Sequence, residues 1–151
     1  MSANIFAYGT LMFAQVWEAV ASRRYPSEEA RISGHVRKRV RGMSYPCMID
    51  SEPDNHVDGR VYFDVDDEDI HRLDLFEGDL YERCCRKLVL ADGRAVMADT
   101  YIIKDRYRQL VDTVNWDPDG FEKTDMAEFM RTYQGFSGRA TNEKSLFTSH
   151  S

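Results

Sequence analysis

Two short stretches of this sequence combine residue types that could do chemistry together. The first is Leu73-Asp74-Leu75-Phe76-Glu77-Gly78-Asp79-Leu80-Tyr81-Glu82-Arg83. A helix starting at about Asp67 carries Ile70 and Leu73 on its apolar face. Glu77 comes seven residues after the one and four after the other, so it shares that face. Gly78 then stops the helix in a left-handed cap. A Glu in the last turn meets the negative end of the helix dipole, which disfavours its charge by a few tenths to ~1 kcal/mol. A half-buried acid in that position is suited to taking up and returning protons near neutral pH. Asp74 is the competing carboxylate, less well placed on the apolar face. The second stretch, Tyr8-Gly9-Thr10-Leu11, lies between a strand and a helix. Such a junction exposes backbone N–H groups that suit a carboxylate or an oxyanion, and Gly9 lets the backbone come close to a ligand. Alone, it reads equally as an ordinary tight turn. Tyr81 and Arg83 alternate with Glu82 and point the same way. Tyr81 is a candidate to hydrogen-bond a substrate or Glu77, and as readily a sheet-packing residue.

The elements that must position these groups follow from periodicity and punctuation. Asn4 to Tyr8 reads as a first strand, broken at Gly9-Thr10. Phe13, Val16, Trp17 and Val20 recur at helical spacing. Arg23 to Arg41 reads as an irregular basic stretch, with Arg37-Lys38-Arg39 and Arg41 as a solvated face. Tyr45 to Ile49 is a short extended segment, and Glu52-Pro53-Asp54-Asn55 a loop. Gly59 to Val65 is a second strand, after which Asp66 or Asp67 can cap the helix that ends at Gly78. Glu82 to Leu90 and Arg94 to Ile103 flank Ala91-Asp92-Gly93 as a hairpin. A last helix opens near Asp117-Pro118, with Met126, Phe129, Met130 and Tyr133 on a face that reads as core. Strands scattered among short helices, with no regular βαβ alternation, predict an α+β protein with a curled mixed sheet. Residues 1–136 form a single domain on this reading, and 137–151 a mobile tail rich in Ser, Thr, Asn and Gly.

Composition narrows the function. The 151 residues suffice for one domain with its own core. A net charge of −6 argues against non-specific nucleic-acid binding. No apolar run reaches the length of a membrane span, and the N-terminus lacks signal-peptide features. Cys47, Cys84 and Cys85 do not make a disulfide framework, which points to a reduced, cytoplasmic protein. Nor do Cys84 and Cys85 have an obvious His partner for nucleophilic work. His35, His56, His71 and His150 are scattered without ligand spacing, so no metal site is expected.

Taken in order, Tyr8-Gly9-Thr10-Leu11, Tyr45-Pro46, Asp58-Gly59-Arg60-Val61-Tyr62, Leu73 to Gly78 with Tyr81 and Arg83, and Ala98-Asp99-Thr100-Tyr101-Ile102 resemble the gamma-glutamylcyclotransferase-like family. That family includes the avirulence-induced-gene-like proteins and the gamma-glutamylamine cyclotransferases. The resemblance spans roughly Asn4 to Tyr133. It implies a small mixed, barrel-like β-sheet flanked by short helices. It also implies an intramolecular reaction in which the α-amine of a γ-glutamyl group attacks the γ-carbonyl, releasing 5-oxoproline and a free amine. By the same resemblance Glu77 is the catalytic residue, and Tyr8, Gly9, Thr10 and Leu11 hold the substrate. Tyr81 and Tyr101 join them, one register step deciding which face Tyr101 presents. The expected partner is a small γ-glutamyl compound, with no cofactor, nucleic acid or membrane. The loops Arg23 to Arg41, Asp50 to Asn55 and Lys104 to Asn115 are expected to set specificity. A rival expectation keeps the pocket without turnover, as a metabolite-binding or partner-binding module on the same fold.

Overall fold

The first strand, β1 (Ser2–Ala7), pairs antiparallel with the long β5 (His56–Asp66). A computed structural model describes residues 2–137, and side chains as far as 131. Beyond β5 the sheet continues through β2 (Ser27–Ser33), β6 (Tyr81–Leu90) and β7 (Ala95–Ile103), all antiparallel. A parallel contact of Ile5 with Asp99 brings β7 back to β1 and closes a five-stranded barrel. Phe6, Ile32, Val57, Val61, Leu88 and Ile102 belong to one core cluster. Gly59 is required where β5 crosses β1, because a Cβ there would lie 2.3 Å from the Ala7 carbonyl oxygen. A second sheet has the order β4-β3-β8, from β3 (His35–Val40), β4 (Pro46–Asp50) and β8 (Val111–Asn115). The architecture is thus the mixed α+β, barrel-like fold expected.

Three readings of the sequence are corrected. Arg23 to Arg41 is not irregular: it contains β2 and β3, which meet at Gly34 with φ +74°. Only Ala30 and Ile32 of β2 face inward, so its charged outer face hid the alternation. Lys104 to Asn115 is a 3₁₀ segment (Asp105–Leu110) followed by β8, whose five residues are all partly or fully exposed. Arg37 is not part of a solvated run, as described below. The proposed mobility from residue 138 onward, and the packing of the Tyr133 side chain, lie outside the described residues.

Helices cover one side of the barrel. In α1 (Ala14–Val20), Val16, Trp17 and Val20 are buried. The Trp17 ring stacks on Tyr62 of β5 at 3.6 Å between centroids, a contact worth ~1 kcal/mol beyond its area. In α2 (Asp67–Glu77) the Asp66 side chain caps the Asp69 N–H, while Ile70, Leu73 and Phe76 are buried. Asp69 is fully buried and accepts hydrogen bonds from Ser22, Tyr25 and Arg72. Burial alone would raise its pKa; these hydrogen bonds hold it below the usual value. It fixes the start of α2 against the end of α1. Gly78, at φ +78°, ends α2, its N–H bonded to the Asp74 carbonyl. Asp117 caps α3 (Pro118–Gly120), with Pro118 in the first turn. A π-helical turn, Phe121–Asp125, leads into α4 (Met126–Ser137), from which Met126 and Met130 are buried.

Candidate functional site

Beyond β1 the chain turns through Tyr8 and Gly9 into a 3₁₀ turn, Thr10–Met12. This turn, the end of α2, the starts of β4 and β6, β7 and α4 surround a pocket of about 590 Å³, open mouth included. Its lining contains Tyr8, Gly9, Thr10, Leu11, Glu77, Tyr81 and Tyr101, the residues singled out in the sequence. It also contains residues that were not: Phe6, Ala7, Tyr45, Pro46, Phe76, Leu80 and Phe129. The signal for Tyr45 and Pro46 was their place in the ordered motifs. Phe129 had the helical spacing of a core residue, and nothing in the sequence set it apart. None of the three loops expected to set specificity reaches the lining.

Among the described residues Glu77 is the one ionisable carboxylate of this lining. Burial pushes its carboxyl up from 4.5 to about 8, with a further push from the neighbouring Asp74 carboxylate. Among the described residues its oxygens have no hydrogen-bond partner. Asp74, one turn earlier, is fully engaged. It accepts from the Tyr101 hydroxyl at 2.6 Å and from Arg83 at 2.9 and 3.3 Å. Arg83 is held in turn by Asp99 at 2.7 Å. Two acids on one helix end are therefore separated in role: one is ion-paired, the other half-buried in the pocket without a hydrogen-bond partner among the described residues.

The tyrosine hydroxyls around Glu77 are mostly committed. Tyr8 donates to the Tyr101 carbonyl at 2.5 Å, and Tyr81 to the Pro46 carbonyl at 2.6 Å. Tyr81 therefore does not donate to Glu77. Burial raises the pKa of both hydroxyls, so both stay neutral donors. Tyr45 differs: among the described residues its hydroxyl bonds nothing, and burial with the nearby Glu77 pushes it up to about 12.

The loop is braced from three sides. Tyr62 donates to the Leu11 carbonyl at 2.9 Å. Arg37 reaches from β3 to the Tyr8 carbonyl at 2.8 Å and the Asp58 carbonyl at 3.1 Å. Its guanidinium lies over the Trp116 ring, and burial lowers its pKa. A Cβ on Gly9 would approach Pro46 Cγ to 2.8 Å, so only glycine lets the loop lie against that ring. Backbone bonds in the turn run from Met12 N to Gly9 O and from Phe13 N to Thr10 O. The N–H groups of Gly9, Thr10 and Leu11 have no acceptor among the described residues.

Other chemistry is poorly provided for. Burial pushes the Cys47 thiol up to about 12 and also raises that of Cys84, so neither is a ready thiolate. Among the described residues no group of three or more His, Cys, Asp or Glu is placed to hold a metal ion. No helix among them is long and apolar enough to cross a membrane.

A family model described as "Gamma-glutamyl cyclotransferase, AIG2-like" matches residues 5–118. The AIG2-like protein A of Arabidopsis thaliana is 30% identical over 135 residues, covering 87% of this chain and 74% of that protein. A solution structure of an Arabidopsis thaliana protein superposes with a TM-score of 0.65 at 24% identity, covering 94% of this chain and 86% of the other. A structure titled gamma-glutamyl cyclotransferase gives a TM-score of 0.60 at 16% identity, covering 69% and 68%. These two likenesses establish the fold.

Proposed function

Since the chain belongs to the gamma-glutamyl cyclotransferase, AIG2-like family, we propose that it cleaves a γ-glutamyl amide by ring closure. The α-amine of the glutamyl group attacks the γ-carbonyl carbon, and the products are 5-oxoproline and a free amine. Glu77 carries the protons. The observation that supports this most strongly is its carboxyl, raised to about 8 and without a hydrogen-bond partner, in a pocket that also offers unpaired backbone N–H groups.

The protons balance through this one group. A substrate α-ammonium, with a pKa near ~8, gives a proton to ionised Glu77. The freed amine attacks, forming the C–N bond of the five-membered ring and a tetrahedral oxyanion. Glu77 returns its proton to the departing nitrogen as the old C–N bond breaks. It then takes the second proton from the ring nitrogen and passes it to the released amine, which restores the starting carboxylate. A carboxyl near 4.5 would be a poor acid for that nitrogen, whereas one near 8 can act in both directions at neutral pH. The N–H groups of Gly9, Thr10 and Leu11 are the free donors that could hold negative oxygen. Tyr8, Tyr81 and Tyr101 wall the site, and this burial keeps the Glu77 proton affinity high. Holding the glutamyl chain folded supplies the proximity that ring closure needs. The three cysteines are all free, which supports a reducing compartment such as the cytoplasm.

The test is to incubate the protein with γ-glutamyl amines and γ-glutamyl amino acids and to measure 5-oxoproline. Release by wild type is the expected result. Thermal stabilisation by a γ-glutamyl compound with no product would instead identify a binding module.

A further inference from the structure

The aromatic part of the pocket wall bears on which amine departs, a deduction that rests on the cyclotransferase reading. Tyr45, Phe76, Leu80 and Phe129 make that wall. The Phe76 and Phe129 rings meet edge to face at 6.0 Å, and Phe129 meets Phe121 in the same way at 5.7 Å. Phe129 belongs to α4, beyond the residues that match the family model. Among the described residues no Lys, Arg or His lines the pocket. Four cations of neighbouring elements are paired outside it. Arg37 is bonded to the Tyr8 and Asp58 carbonyls, Arg83 to Asp74 and Asp99, and Lys104 and Arg106 to Asp79.

The glutamyl part of the substrate needs donors for its own carboxylate and for the developing oxyanion, and the unpaired donors are on the loop and on Tyr45. A second carboxylate, carried by the departing group, would lie among aromatic rings beside Glu77. It would be desolvated with no cation of the described lining to pair with, and would repel Glu77 whenever that carboxyl is ionised to take up the substrate proton. An uncharged aromatic or aliphatic body would instead replace water on that wall and stack on its rings. We propose that the departing group is an apolar amine without a carboxylate, seated against Tyr45, Phe76 and Phe129.

Three substrates isolate the features: γ-glutamyl-phenethylamide, γ-glutamyl-phenylalanine, which differs by one carboxylate, and γ-glutamyl-methylamide, which lacks the ring. The first should exceed each of the others in kcat/KM by about 10-fold or more. In Phe129→Ala, and more gently in Phe129→Leu, the phenethylamide-to-methylamide ratio should shrink several-fold. Equal or faster turnover of γ-glutamyl-phenylalanine would overturn the proposal, as would an unchanged ratio in both variants, and either result leaves the cyclotransferase reading standing. No 5-oxoproline from any of the three would instead remove that reading and this one with it.

Discussion

Replacing Glu77 by Gln should make the protein more stable at alkaline pH, by an amount set by how strongly the pocket opposes ionisation of the carboxyl. In the unfolded chain Glu77 ionises around 4.5; in the folded protein it holds its proton to about 8. Below 4.5 both states are protonated and the group contributes nothing to pH dependence. Between the two values the unfolded chain loses a proton that the folded protein keeps, so stability declines as pH rises, by up to about 1.4 kcal/mol for each pH unit. Across that whole window the loss is on the order of 4 kcal/mol, a large fraction of a typical domain's stability. Glutamine has the same shape and cannot ionise. Other displaced groups lie outside the window. Asp58, Asp69, Asp79 and Asp92 are shifted below the ordinary Asp value, while the displaced tyrosines and cysteines are shifted upward. The assay is urea denaturation of wild type and Glu77→Gln at pH 5, 7 and 8.5. The variant's advantage should grow by several kcal/mol from the first to the last. Parallel curves at all three pH values would refute the argument and show Glu77 to be an ordinary solvated acid.

The same displacement should appear in catalysis, with the acid limb of kcat/KM near pH 8. Asp74→Asn removes the nearby negative charge and should move that limb to lower pH. It should still lie well above 4.5, because burial is the larger cause. A limb near 4.5 in wild type would contradict the assignment. Gly9→Ala places a methyl 2.8 Å from the Pro46 ring. It should cost about 1–3 kcal/mol by chemical denaturation and raise KM as the loop moves. Asp69→Ala, which removes the shared acceptor of the Ser22 N–H, the Tyr25 hydroxyl and Arg72, should cost roughly 1–3 kcal/mol, measured in the same way; a loss under 0.5 kcal/mol would show that Asp69 does not tie α1 to α2.

Residues whose burial follows a simple period were legible in the sequence. Ile70 and Leu73 located α2, Gly78 its end, and Asp66 or Asp67 its cap, of which the structure uses Asp66, so the position of Glu77 followed from local rules. The Ala91-Asp92-Gly93 turn located the β6–β7 hairpin. The strands β2, β3 and β8 were hidden because their charged and half-exposed faces outnumber their buried positions, so hydropathy alone could not set them apart from loop. Arg37 looked like part of a solvated charge run. Its role in bracing Tyr8 depends on β3 lying beside the barrel, a relation between segments distant in sequence. Phe129 is the same kind of case. Its helical spacing marked it as buried, and only the packing of α4 against Phe76 puts its ring in the pocket wall. Tyr81 shows the limit from the other side: its inward face was predictable, but the acceptor of its hydroxyl, the Pro46 carbonyl, lies in a different sheet.

Whether Glu77 carries the protons of ring closure is decided by 5-oxoproline release from a γ-glutamyl amide by wild type and by Glu77→Gln, with folding of the variant checked by its denaturation curve. The folded variant should show a kcat lower by about 10²–10⁴-fold. A folded Glu77→Gln protein that releases 5-oxoproline at the wild-type rate would rule out Glu77 as the proton carrier.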